Sequence, residues 1–275
     1  MKRNVLITGC SSGIGYFCAK ELMKDENYKV FATARKDEDI ERLKSEGFEV
    51  LKLDLSNKES IHKCAKEILK LTDNNLYALF NNAAYGQPGA VEDLTIEVLR
   101  EQFETNLFGT HELTRLLIPS MRKKEKGRII QNSSILGFVA FRFRGAYNAS
   151  KFALEGLSDT LRMELYGSGI YVSLIEPGPI RSDFRKNALE KFLKNIDREK
   201  SFFKMEYEKK LEALKSDKEP PFTLQADAVY EVFKEILDSP KPKARYRVTT
   251  PTKLFWFLKK ILSDSMLDKI LMKIE

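Results

Sequence analysis

The sequence predicts an α/β protein: one domain over residues 1–275, built on a single doubly wound parallel sheet with helices on both faces. Three observations predict it. Short apolar, β-rich runs alternate with helically periodic segments from the first residues, a Gly/Ser turn joins the first run to the first helix, and no internal repeat or linker interrupts the pattern. The composition agrees. With 275 residues, 43% of them hydrophobic and 32% charged, the chain can bury a sizeable core, and only 9 Pro and 14 Gly exclude a collagen-like or low-complexity polymer.

Val5-Leu6-Ile7-Thr8 forms the first run, and the Gly/Ser turn leads into a helix near Ile14 to Met23. Lys29 to Ala34 and Glu49 to Leu53 read as the second and third strands. A helix near Lys58 to Leu71 precedes a fourth strand, Leu76 to Phe80. Long helical patterns fill Ile96 to Arg122, followed by a strand at Arg128 to Gln131, a helix at Tyr147 to Tyr166 and a buried strand at Gly169 to Ile175. A sheet wound in this way presents its ligand sites at the carboxyl ends of the strands.

Two segments depart from the alternation. Residues 183–222 form a charged, helical insert carrying Phe184, Phe192, Phe202, Phe203, Met205 and Tyr207, expected to lie as a lid over an apolar substrate pocket. The tail at 251–275 spaces Leu254, Leu258, Ile261, Leu262, Met266, Leu267, Ile270, Leu271 and Ile274 as amphipathic helices, broken near Ser263-Asp264-Ser265. Lys259, Lys260, Lys269 and Lys273 beside that stripe suit an anionic membrane surface, but an interior or dimer contact is the favoured reading.

Other classes are disfavoured. Cys10, Cys18 and Cys64 cannot build a disulfide framework, which points to a reducing compartment. His62 and His111 stand far apart with no Cys-x-x-Cys, so no metal site is expected. No apolar run approaches a membrane span, and Met1-Lys2-Arg3 leads into a run too short for a signal peptide, making the cytoplasm the expected location. The net charge of +7 comes from cations interspersed with acids, as in Lys186 to Lys218, so no nucleic-acid partner is expected.

Three features carry chemistry. In Thr8-Gly9-Cys10-Ser11-Ser12-Gly13-Ile14-Gly15 the glycines let the backbone turn sharply and approach a pyrophosphate, whose charge meets a helix N-terminus. The second strand ends at Ala34-Arg35, offering a fixed cation where an NAD site offers a carboxylate, which favours NADP(H), with NAD(H) as the alternative. Tyr147 and Lys151 share one helix face, so the ammonium is expected to lower the phenol pKa toward the working range. Ser134, thirteen residues before Tyr147, is placed to hydrogen-bond a substrate oxygen.

On these residues the chain resembles the short-chain dehydrogenase/reductase family over most of residues 3–182. The family's Thr-Gly-x-x-x-Gly-x-Gly turn stands at Thr8 to Gly15, and its Asn-Asn-Ala-Gly motif appears as Asn81-Asn82-Ala83-Ala84. The resemblance implies a Rossmann-type fold, a homodimer and an NADP(H)-dependent exchange between a carbonyl and an alcohol. It assigns Asn106, Ser134, Tyr147 and Lys151 as a catalytic tetrad, with Lys151 also holding the nicotinamide ribose and Asn106 holding a relay water. Cofactor contacts fall to Gly9, Ser11, Ser12, Gly13, Ile14, Gly15 and Arg35 in the first two turns, Asp54 and Leu55 at the adenine, and Asn82 and Ala83. Pro177, Gly178, Ile180 and Ser182 complete them at the nicotinamide. A narrower similarity, in Ala149 to Gly156, Ser173 to Glu176 and Pro240-Lys241-Pro242, is to hydroxysteroid and retinol dehydrogenases of the estradiol type. It implies a bulky apolar substrate. A catalytically idle dinucleotide sensor of the same fold is the alternative, because fold alone does not fix function.

Overall fold

The computed structural model describes residues 2–215 and 219–274. Seven parallel strands form one sheet: β1 (Arg3–Ile7), β2 (Tyr28–Ala34), β3 (Glu49–Lys52), β4 (Leu76–Asn81), β5 (Gly127–Asn132), β6 (Ile170–Glu176) and β7 (Arg245–Arg247). Their order is β3-β2-β1-β4-β5-β6-β7, so the winding reverses between β1 and β4. That reversal opens a crevice at the carboxyl ends of β1 and β4, where the Gly-rich turn and Asn81-Asn82 emerge.

Period-two alternation divides the core into two layers. Val5 and Ile7 of β1 face one layer, with α1 (Gly13–Leu22), α2 (Asp37–Ser45) and α9 (Asp227–Asp238) covering it through Cys18, Ile40 and Phe233. Leu6 faces the other layer, covered by α3 (Lys58–Leu71) and α5 (Thr110–Lys123) through Ile68 and Leu117. The long α6 (Gly145–Glu164) lies on that same side, its Leu161 packed on the layer.

The helical patterns expected from Ile96 to Arg122 fold as α4 (Ile96–Phe103), a π-helical turn at Glu104–Gly109, and α5. The widened turn carries Asn106 inward, where it is buried. The insert forms α7 (Phe184–Asn195) and α8 (Lys204–Lys215); residues 216–218 of it lie outside the described residues. The tail forms α10 (Thr250–Ile261) and α11 (Asp264–Ile274), broken where the serines predict. Among the described residues no helix is long and apolar enough to cross a membrane.

Candidate active site

The Gly-rich turn follows directly from β1. Gly9 and Gly13 hold φ of 71° and 59°, which side chains disfavour. A Cβ on Gly9 would stand 2.8 Å from the Ala83 Cα, so the turn is closed against the β4 loop. Ser12 occupies the N-cap of α1 without a side-chain capping bond, leaving the helix start open for an anion. This bare cradle fits a dinucleotide pyrophosphate.

A chain of hydrogen bonds runs from that turn to the middle of α6. Asn82 Nδ2 donates to the Thr8 carbonyl at 2.9 Å and to the Gly9 carbonyl at 3.2 Å. Asn132 Nδ2 donates to Asn82 Oδ1 at 2.8 Å, and the Asn132 carbonyl accepts from Lys151 Nζ at 2.7 Å. Asn132 thus joins the cofactor turn to the lysine, a role the sequence reading missed. Its bond to Lys151 comes from the backbone, which leaves no mark on residue type; only its bond to Asn82 calls for a side-chain amide. Thr8 Oγ1 accepts from the Asn82 and Ala83 N–H groups, both at 2.9 Å. Ala84, where the family motif has Gly, takes no left-handed conformation, so its methyl is accommodated.

The Ser134 hydroxyl lies beside the Tyr147 phenol, near enough to bias its titration. Ser134 caps a short 3-10 turn, its Oγ accepting from the Leu136 N–H at 3.1 Å. Burial pushes the Tyr147 phenol up to about 12, with the Ser134 hydroxyl and the Arg144 charge pulling the other way. The expected lowering by Lys151 is not met: its Nζ lies 5.6 Å from the phenol ring centroid, and desolvation of the phenol outweighs the Ser134 and Arg144 contributions. Burial also lowers the Lys151 ammonium to about 8, opposed by the Glu155 carboxylate one turn further along α6.

Asn106 lies close by, but its side chain is committed. Its Nδ2 donates to the Tyr85 carbonyl at 2.9 Å and to Ser150 Oγ at 3.2 Å, and its Oδ1 accepts from the Tyr85 N–H at 3.2 Å.

At the end of β2, Arg35 is exposed and makes no ion pair among the described residues, unlike its neighbour Lys36, which meets Glu38. Arg42, absent from the sequence reading, braces the turn by donating to the Ser11 carbonyl at 2.6 Å. Asp54 Oδ1 accepts from the Ser56 N–H at 2.9 Å, and Leu55 is buried. On the far side Pro177 accepts from the Ile135 N–H at 2.8 Å, and Ile180 forms an isolated bridge with Leu224. Ser182 stands beside Gly13, whose Cβ would approach the Ser182 Cβ to 3.0 Å. A Cβ on Gly178 would come within 2.2 Å of Thr249 Oγ1, so a glycine lets this loop lie against the N-cap of α10.

An apolar wall completes the site. Tyr147 clusters with Ile135, Leu136 and Val139 and with Phe255, Leu267 and Leu271 of the tail. Of the insert residues expected to cover a ligand, Phe184 meets Tyr147, with ring centroids 5.3 Å apart. Phe203 packs on Phe143, as Phe192 and Tyr207 pack on each other, anchoring α7 and α8. Phe202 and Met205 are exposed.

A glycine-built crevice at the winding reversal, with a buried Ser–Tyr pair and a lysine tied to it, defines an NAD(P)-dependent dehydrogenase or reductase. The model of the short chain dehydrogenase family matches residues 3–192, and the chain belongs to that family. It is 43% identical over 278 residues to the uncharacterized oxidoreductase YbbO of Escherichia coli K12, covering 98% of this chain and 94% of that protein. The NADPH-dependent 3-dehydrocapnine reductase of Ornithobacterium rhinotracheale is 33% identical over 280 residues, covering 98% and 96%. Human retinol dehydrogenase 8 is 37% identical over 196 residues, covering 68% of this chain and 62% of that one.

Proposed function

We propose that the chain is an NADP(H)-dependent oxidoreductase that interconverts a carbonyl and an alcohol on an apolar, steroid-, retinoid- or lipid-like substrate, working as a reductase. One observation carries the reading: the Ser134–Tyr147 hydroxyl pair faces an apolar wall on one side and a hydrogen-bonded path to the glycine turn on the other. The turn residues Gly9, Ser11, Ser12, Gly13, Ile14 and Gly15 would hold the pyrophosphate, Arg35 the 2′-phosphate, and Asp54 and Leu55 the adenine. Asn82, Ala83, Pro177, Gly178, Ile180 and Ser182 would enclose the nicotinamide half, and Lys151 its ribose. The bound cofactor supplies the hydride.

Tyr147 gives its proton to the developing alkoxide while Ser134 orients the oxygen. A phenol near 12 keeps its proton throughout the physiological range, which suits the reductive direction. Lys151, while charged, supports the phenolate left behind, and Asn106 holds its relay water through the backbone. Preference for NADP(H) is supported by Arg35, which makes no ion pair among the described residues, by Ala34 offering no carboxylate, and by the NADPH dependence of the 3-dehydrocapnine reductase relative. Phe108 of the π-helical turn and Phe152 and Leu157 of α6 leave an exposed apolar face, which supports a homodimer through the α5–α6 side.

The test is NADPH oxidation across ketosteroids, retinal, long-chain ketones and small polar ketones. Turnover of bulky apolar carbonyls is expected to exceed that of small ones. NADPH binding without turnover on any carbonyl would favour the idle-sensor reading.

A further inference from the structure

The outer faces of α10 and α11 repeat one pattern. At 3.6 residues per turn, Phe255 and Leu258, with Leu262 at the helix end, form the stripe that joins the Tyr147 cluster. Beside it Leu254, Phe257 and Ile261 stand 51%, 53% and 60% exposed. Lys253 and Lys260 border that stripe on its far side. On α11, Leu267 and Leu271 are buried, while Met266 and Ile274 are 53% and 58% exposed with Ile270 between them. Lys269 and Lys273 again take the far border, and Asp264 and Asp268 fall beyond the buried stripe, away from the lysines. Each helix therefore carries a buried stripe, an exposed apolar stripe and a lysine row, in that order.

We propose that this face docks on an anionic lipid surface. Exposed leucine, phenylalanine, isoleucine and methionine side chains would enter the acyl boundary while the lysine stems snorkel to the headgroups. Charge favours this occupant: Lys253 and Lys260 on α10, and Lys269 and Lys273 on α11, border the exposed apolar stripes, and anionic headgroups neutralise them. The proposal does not depend on which carbonyl the site reduces, or on whether it reduces one. It does place the helices that wall Tyr147 at the bilayer, from which an apolar molecule would reach the site.

The test is sedimentation of the full chain with vesicles, either phosphatidylcholine alone or an equimolar mixture with phosphatidylglycerol. Binding to the anionic vesicles is expected to be at least about tenfold tighter and to weaken with added salt. The double variant Phe257→Asp/Ile261→Asp should lose at least about tenfold in that binding, with NADPH affinity unchanged. The double variant Lys63→Gln/Lys66→Gln removes the same charge from exposed positions of α3 and should bind vesicles like the parent. Equal loss in both variants would reduce the effect to general basicity and overturn the proposal. So would failure of the parent to bind anionic vesicles, or a change of oligomeric state in the Asp variant by sedimentation velocity, which would make the face a contact between copies.

Discussion

The cofactor turn and the substrate wall meet at Tyr147, yet they are held by different forces. From Gly9 through Asn82 and Asn132 to Lys151, each link is a hydrogen bond with a donor, an acceptor and a direction. Around Phe184, Phe255, Leu267 and Leu271 the contacts are apolar and carry no direction. Hydrogen bonds fix positions to a fraction of an ångström, whereas apolar packing tolerates changes of shape when volume is kept. The first half is suited to one invariant cofactor and the second to substrates that differ in outline.

The sharpest way to break this comparison is at the junction. Tyr147→Phe keeps the ring and removes the proton, so turnover should fall by about 10²–10⁴-fold with NADPH affinity nearly unchanged, measured by steady-state kinetics and cofactor fluorescence. Near-parental turnover would remove the phenol from its role. In the directional half, Ala34→Asp sets a carboxylate where a 2′-phosphate would lie and should move the NADPH-to-NADH affinity ratio by about 10–100-fold toward NADH. Equal affinities in the parent would release Arg35 from its assignment.

In the non-directional half, Leu267→Ala/Leu271→Ala should raise KM for bulky apolar carbonyls roughly tenfold while leaving NADPH affinity alone, because only the wall loses contacts. An equal change for small polar ketones would count against the wall. The pH profile sharpens the junction further. Burial lowers Lys151 to about 8, so reductive turnover should decline as pH rises through about 8, when the cation supporting the developing phenolate is lost. Tyr147, pushed up to about 12, stays protonated across that range. Glu155 opposes the lowering, so Glu155→Gln should move the decline to lower pH.

The smallest effect is on stability. With Lys151 at about 8 when folded and near its ordinary 10.5 when unfolded, the unfolded chain binds more protons between those values. The parent therefore gains stability as pH rises through that window. Lys151→Met lacks the gain, so its stability relative to the parent should fall by on the order of 1–3 kcal/mol from pH 8 to 10.5, read by urea unfolding.

Most of the directional half could be read from the sequence, because its glycines, its short polar residues and their spacing after each strand are imposed by backbone geometry. Six of the seven strands announce themselves as apolar runs. The seventh, Arg245-Tyr246-Arg247, does not, since it has one apolar residue between two charges. It is a strand because Arg245 pairs with Glu155, Asp159 and Glu176, and Arg247 with Glu176, contacts that exist only after the chain has folded. The wall was hidden for a related reason. Helical spacing shows that Phe202 and Phe203 can face a pocket, but not which ring turns inward, and the structure turns Phe202 out and Phe203 onto Phe143. The phenol pKa misled in the opposite direction, because a shared helix face says nothing about how much water is lost on burial.

The close approach of Gly178 to Thr249 bears on the order in which the molecule becomes competent as it is made. Synthesis releases the chain from the amino end, at about 5–20 residues per second, and early segments begin folding first. The glycine turn, Asn82, Asn132 and Lys151 all emerge before residue 152, whereas the support beneath the loop at Gly178 arrives only with Thr249. A nascent chain halted before β7 would hold the phosphate cradle and the tyrosine, with the loop at Gly178 lacking its backing. The loop at Gly178 thus gains its backing only about seventy residues after its own synthesis.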